Sequence, residues 1–185
     1  MIIAIIPAKG GSKRLPNKNM QLIHGRPMIY YSLKTAKECN LIKNVYVSTD
    51  SEEIEAYAFA QGVEVIRRGS ELAGEAPVSE VYLHALKVLN DPSITYVIGI
   101  QPDHPDRKVR LEEAINYTIE KGYDEVITVD GKGFVNGSLK IMKAEAMLNN
   151  RLGTVGTITD NCTNIHTLDD LKQSENNLAA KEIDL

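Results

Sequence analysis

The residues best able to do chemistry stand close together near the start of the chain, in Pro7-Ala8-Lys9-Gly10-Gly11-Ser12-Lys13-Arg14-Leu15-Pro16-Asn17-Lys18-Asn19. Adjacent glycines let a backbone approach an anion and turn its N–H groups inward, while Lys9, Lys13, Arg14 and Lys18 supply positive charge. That combination suits the phosphates of a nucleotide, up to a triphosphate. The spacing is not that of a Walker A loop, in which Lys directly follows the second glycine, because Ser12 separates Gly11 from Lys13. Nor is it GxGxxG. A basic turn that is merely solvated is the plain alternative, but a chain of formal net charge -4 has little reason to concentrate cations there without a ligand. Ser12, Ser48 and Ser79 lie in no nucleophile elbow and the histidines stand in unrelated contexts, which disfavours a hydrolase with a serine triad.

The loop follows Ile2 to Ile6, a β-branched run without alternation, as expected of a parallel strand covered on both faces. Asn44 to Thr49, Val63 to Ile66, Tyr96 to Ile100 and Glu125 to Val129 read as four further strands. Between them, helices are predicted from Pro27 to about Cys39, from Asp50 to Gly62, over Val78 to Leu89, and from about Arg110 to Lys121. Pro27 is a good first helical residue, Asp50 stands in capping-box spacing with Glu53, and Gly62 is a helix stop. After the fifth strand the rhythm changes: Asn136-Gly137 signals a turn, then come a strand at Ser138 to Met142 and a short helix. Gly153 to Thr159 reads as a strand and Thr167 to about Leu178 as a last helix, with a polar tail expected to fray. This alternation predicts one domain over residues 1–185, of α/β class, with a doubly wound, mostly parallel sheet in three layers. Ligands of such folds bind at the carboxyl ends of the strands, where the cationic loop lies.

Composition removes several classes. No run approaches the roughly 20 apolar residues of a membrane span, and Ile2 to Ile6 lacks a preceding basic segment, so a buried strand is expected rather than a secretory signal. The acidic balance, with no Trp and two Phe, argues against nucleic-acid binding by charge and stacking. Cys39 and Cys162 make neither a disulfide framework nor a zinc site, and both are expected reduced in a cytoplasmic protein.

The stretch IIPAKGGSKRLPNKNM resembles the signature of the sugar-acid cytidylyltransferases, the family of CMP-acylneuraminate synthetase and 3-deoxy-manno-octulosonate cytidylyltransferase. NVYVSTDSEEI, RGSELA from Arg68, LHAL from Leu83, IQPDHP from Ile100 and NIHTLDDL fall in the same order, so the likeness covers nearly the whole chain. It implies the Rossmann-like fold of nucleotide-diphospho-sugar transferases. It also implies transfer of CMP from CTP to the anomeric hydroxyl of a 2-keto-3-deoxy sugar acid, with release of pyrophosphate.

Carried over residue by residue, the resemblance gives the backbone of Ala8, Lys9, Gly10, Gly11, Ser12 and Lys13, with the side chains of Lys9, Lys13 and Lys18, to CTP. It puts Asn19, Arg68 and Ser79 near the cytidine and gives Lys9, Lys18 and Asp103 the catalytic roles. Lys9 stands where the family usually has Arg, keeping the charge without the bidentate fork. Gln101 falls to the acceptor, and Asp103 to Mg²⁺, which prefers hard oxygen ligands and commonly takes one or two carboxylates plus phosphate oxygens. At Asn164-Ile165-His166 the family usually carries two aspartates flanking the isoleucine. His166 remains a candidate metal ligand better suited to Mn²⁺ than to Mg²⁺, or else a loop residue. The insert that follows the fifth strand in acylneuraminate enzymes, with its basic sugar contacts and dimer interface, is shortened to Gly131–Val135. Lys132 and Lys140 are the nearest cations left for a sugar carboxylate, and a homodimer is expected only through what remains. The alternatives are a transferase of the same fold with another sugar or sugar phosphate as acceptor, and a nucleotide-binding homologue without turnover.

Overall fold

A computed structural model of the protein describes residues 1–73, 76–151 and 153–183. The β-branched runs form the strands β1 (Ile2–Pro7), β4 (Asn44–Thr49), β5 (Glu64–Arg67), β6 (Tyr96–Ile100), β7 (Glu125–Val129), β8 (Val135–Lys143) and β9 (Val155–Thr159) of one seven-stranded sheet. Its order is β5-β4-β1-β6-β8-β7-β9, with β8 antiparallel to both neighbours and every other pairing parallel. A small hairpin, β2 (Leu22–Ile23) and β3 (Arg26–Pro27), turns at His24 and Gly25, both at positive φ.

Alternate residues of β1 enter opposite cores, which is why the run had to be apolar throughout. Ala4 and Ile6 pack under the helices α1 (Ile29–Glu38), α2 (Glu52–Ala60) and α4 (Leu111–Lys121), through Leu33, Ile54 and Ile115. Ile3 and Ile5 pack under α3 (Val78–Leu89) and α5 (Ala144–Leu148), through Tyr82, Leu86 and Ala144. A third, smaller cluster joins Leu15, Ile23, Met28 and Ile165 to Leu171 of α6 (Leu168–Ile183). It packs the base of the cationic loop against the C-terminal segment.

The three-layer, mostly parallel sheet agrees with the expected fold class, and several local expectations are corrected. Pro27 belongs to β3, and α1 starts at Ile29, because Gln21 and Met28 close the hairpin by a backbone bond of 2.8 Å. Ser51, not Asp50, caps α2 by accepting from Ile54 N, which leaves the Asp50 carboxylate for another partner. Asn136-Gly137 lies inside β8 rather than in a turn. The turn is at 130–134, where Asp130 Oδ1 accepts from the N–H groups of Lys132 and Phe134, and Gly137 at φ 80 sits beside a register shift in the β7–β8 pairing. The last helix runs to Ile183 rather than fraying after Leu178; positions 184 and 185 lie outside the described residues.

Packing demands glycine at position 99. A Cβ on Gly99 of β6 would lie 2.3 Å from Cζ of the fully buried Tyr82. Gly99→Ala must therefore displace a ring held on every side, and a loss of about 1–3 kcal/mol in unfolding free energy is expected from urea denaturation.

Candidate active site

The carboxyl ends of β1 and β6 open into a cavity of about 530 Å³. Backbone bonds set the cationic loop on its rim: Ala8 N donates to Ser48 O at 2.9 Å, which continues the β1–β4 ladder. Gly10 N then donates to Asp50 Oδ1 at 2.8 Å, and Asn19 Nδ2 to Lys9 O at 2.9 Å. Gly10 must be glycine, since a Cβ there would lie 2.8 Å from Cβ of Ser51. Gly11 has open space around it. Asn17 takes a left-handed φ of 54°, which Asn tolerates, and turns the chain into the short helical turn Lys18–Met20. Lys9, Ser12, Lys13, Arg14, Lys18 and Asn19 all line the cavity.

Lys18 reaches across the cavity floor. Its Nζ donates to Asp103 Oδ2 at 2.6 Å and to Ile165 O at 3.2 Å, and Ile165 N donates back to Asp103 O at 3.0 Å. The buried ring of His104 brings Nδ1 to 3.0 Å from Asp103 Oδ1. The two atoms approach outside hydrogen-bond geometry, and neither ring nitrogen of His104 has a hydrogen-bond partner among the described residues. Burial by itself raises the Asp103 carboxyl pKa, but His104 and Lys18 outweigh it and hold the group well below the usual carboxylate range. Burial, with Arg14 and Lys18 nearby, lowers the His166 pKa and favours its neutral form.

Among the described residues, no group of three or more His, Cys, Asp and Glu side chains is placed to hold a metal ion. Asp103 and Asn164 bring hard oxygens to the cavity, and the neutral His166 imidazole brings a borderline nitrogen. Such a donor set fits a divalent cation that arrives with phosphate oxygens, not one held by the chain alone.

The cavity also gathers Arg68, Gln101, Asp103 and His166. Arg68 is 9% exposed, and its Nη1 donates to Leu72 O at 3.1 Å. Three of the candidate residues fall elsewhere. On α3, Val78 and Val81 turn to this cavity, while Ser79 turns to a second one of about 410 Å³. Lys140 lines that second cavity too, from the α3–α5 side of the sheet, paired with Glu125 at 3.1 Å. Lys132 is exposed in the β7–β8 turn.

Two features escaped the sequence reading. Leu72, from the short helical turn before α3, joins Val78 and Val81 of α3 in lining the cavity with Arg68, and the spacing of the two valines looks the same as that of core residues. Arg107 is buried, donating through Nη2 to Gln101 O at 2.9 Å and to Ser138 O at 2.7 Å, so it locks the end of β6 to β8. A charged residue amid QPDHPDR carried no signal of burial.

A doubly wound sheet with a cation-lined cavity at the ends of its strands is an architecture suited to binding the phosphates of a nucleotide. A solved CMP:2-keto-3-deoxy-manno-octonic acid synthetase complexed with CTP superposes with a TM-score of 0.75 at 14% identity, covering 97% of this chain and 99% of that one. At that identity it speaks for the fold alone. The family model described as Cytidylyltransferase matches residues 3–180, and the chain belongs to that family. It is 36% identical over 132 residues to N-acylneuraminate cytidylyltransferase of Escherichia coli, covering 69% of this chain and 31% of that protein. It is 34% identical over 143 residues to CMP-N,N'-diacetyllegionaminic acid synthase of Legionella pneumophila, covering 74% of this chain and 57% of that one. The chain spans about a third of the N-acylneuraminate relatives it matches, 30% of that from Danio rerio. No helix among the described residues is long and apolar enough to cross a membrane.

Two measurements follow from this packing. Arg107→Met leaves buried carbonyls without their charged donor and should lower unfolding free energy by on the order of 3 kcal/mol. Burial raises the Cys39 thiol, and burial with Asp160 nearby pushes Cys162 up to about 12. Both thiols are therefore protonated at pH 8, and iodoacetamide should label them far more slowly in the folded chain than in urea, read by mass spectrometry.

Proposed function

We propose that the chain binds CTP in the β1–β6 cavity and transfers CMP to the anomeric hydroxyl of a 2-keto-3-deoxy sugar acid. The observation that carries this reading is the convergence of Lys9, Lys13, Arg14 and Lys18 with Asp103 in one cavity. The loop cations suit the triphosphate, and apolar Leu72, Val78 and Val81 with Arg68 suit a pyrimidine with acceptor atoms on its edge. The hydroxyl oxygen forms a bond to the α-phosphorus, the bond to the pyrophosphate oxygen breaks, and the hydroxyl proton leaves to solvent. No covalent enzyme intermediate is required: the residues hold the reactants in line and neutralise charge that builds on the phosphates. Asp103 and Asn164, with His166 on the same wall, would hold Mg²⁺ or Mn²⁺ that enters with the nucleotide. Such an ion would screen phosphate charge. We propose a cytoplasmic reaction, since it consumes CTP.

One observation favours a second reading, a transferase of the same fold with another acceptor. Lys132 and Lys140 lie away from the cavity, so neither is placed to meet a sugar carboxylate there.

Pyrophosphate release from CTP separates the two. The panel would hold N-acetylneuraminate, its deaminated analogue, 3-deoxy-manno-octulosonate and sugar phosphates, with Mg²⁺ or Mn²⁺. Turnover with one sugar acid is expected; turnover with sugar phosphates alone would replace the acceptor. Lys18→Ala removes a donor and leaves Asp103 facing the phosphates, so calorimetry should show CTP bound roughly 10- to 100-fold more weakly.

A further inference from the structure

Asp50 is out of place in an anion site. Its carboxylate is exposed at the end of β4, beside a loop whose other charges are cationic, and α2 does not need it because Ser51 provides the cap. A carboxylate so close to bound phosphates repels them, and by Coulomb's law alone its removal should strengthen nucleotide binding. Its oxygen is nonetheless committed to the loop, since Oδ1 accepts from Gly10 N at 2.8 Å.

That bond acts on a backbone with no slack. Two residues earlier, Ala8 N is tied to Ser48 O at 2.9 Å, and between them Lys9 O is tied to Asn19 Nδ2 at 2.9 Å. Gly10 itself packs against Ser51, the neighbour of Asp50. The peptide entering Gly10 is thereby turned toward β4. The next two N–H groups, of Gly11 and Ser12, have no partner among the described residues, and Ser12 lines the cavity. Consecutive N–H groups left open in this way are available to one anion. Asp50 also acts on Arg68: burial lowers the pKa of that guanidinium and the charge of Asp50 works against it, while Arg68 N donates to Thr49 O at 3.1 Å.

We infer that Asp50 is a positioning residue for the nucleotide, holding the Gly10 N–H so that the N–H groups of Gly11 and Ser12 are left for a phosphate. It touches no substrate. Its hydrogen bond contributes more to affinity than its charge removes. This rests on the CTP reading above.

Charge and position predict opposite signs, so calorimetric titration of CTP into three proteins decides between them. Asp50→Ala loses the acceptor and should bind CTP at least 10-fold more weakly than the unaltered chain. Asp50→Asn keeps an acceptor oxygen and should stay within about three-fold of it, as rescue of position without charge requires. Amide exchange should show the Gly10 N–H protected in the unaltered chain and in Asp50→Asn but not in Asp50→Ala, and circular dichroism should show α2 retained throughout. Equal or tighter CTP binding by Asp50→Ala would overturn the role of Asp50 while leaving the CTP reading standing. Failure of the unaltered chain to bind CTP overturns the CTP reading and this inference together.

Discussion

Lys18 and Asp103 are 85 residues apart in sequence and 2.6 Å apart in the fold, and the ammonium is shared with Ile165 O, 147 residues away. A partly buried ion pair of this kind is favourable only when both partners are present, because either charge left alone in a low-dielectric site is strongly disfavoured. The cationic loop, the end of β6 and the segment before α6 are therefore bound to fold as a unit. The apolar packing agrees: Ile165 is buried in one cluster with Leu15 and Leu171, so the third hydrophobic cluster also joins the cationic loop to the segment before α6. His104 backs the carboxylate from the protein side, and Arg107 fixes the strand end that carries it.

The cavity is cationic within an acidic chain, which shows that the distribution of charge rather than its sum marks an anion site. The repulsion among the cations is contained by geometry. Lys13 and Arg14 stay exposed, where water screens them, while Lys18 is neutralised on the floor by Asp103. The same cavity is lined by apolar Leu72, Val78 and Val81, so it offers a nucleotide both charge and apolar surface.

Much of this was legible because it is local. A strand buried on both faces needs an unbroken apolar run, and β1 announces itself that way, while β4, β6 and β7 are legible as short segments rich in β-branched and aromatic residues. The loop is legible because glycines and cations in such density have few other uses. Departures arise where one side chain has two possible partners. Asp50 has the spacing of a helix cap, but Ser51 is nearer the first free N–H groups and Gly10 offers Asp50 a better donor. Asn136-Gly137 has the form of a turn, yet Asp130 closes the chain earlier and Gly137 relaxes the strand instead. Pro27 fits a helix start equally well as the edge of a hairpin. Ser79 and Val81 are both near the site in sequence, and only the rotation of α3 about its axis separates them.

The sequence by itself determined the fold class, the place of the cationic loop at the end of the first strand, and the membership in the cytidylyltransferases. The first two rest on residue type and spacing within a few turns of chain, and the third on a resemblance of ordered motifs that runs along nearly the whole chain. Tertiary structure alone decided that Lys18 meets Asp103 and Ile165, that Asp50 serves the loop, and that Lys132 and Lys140 stand apart from the cavity. Those are contacts between segments far apart in the chain. They depend on helix rotation, strand order and the competition of donors for one acceptor, none of which is encoded in a local pattern.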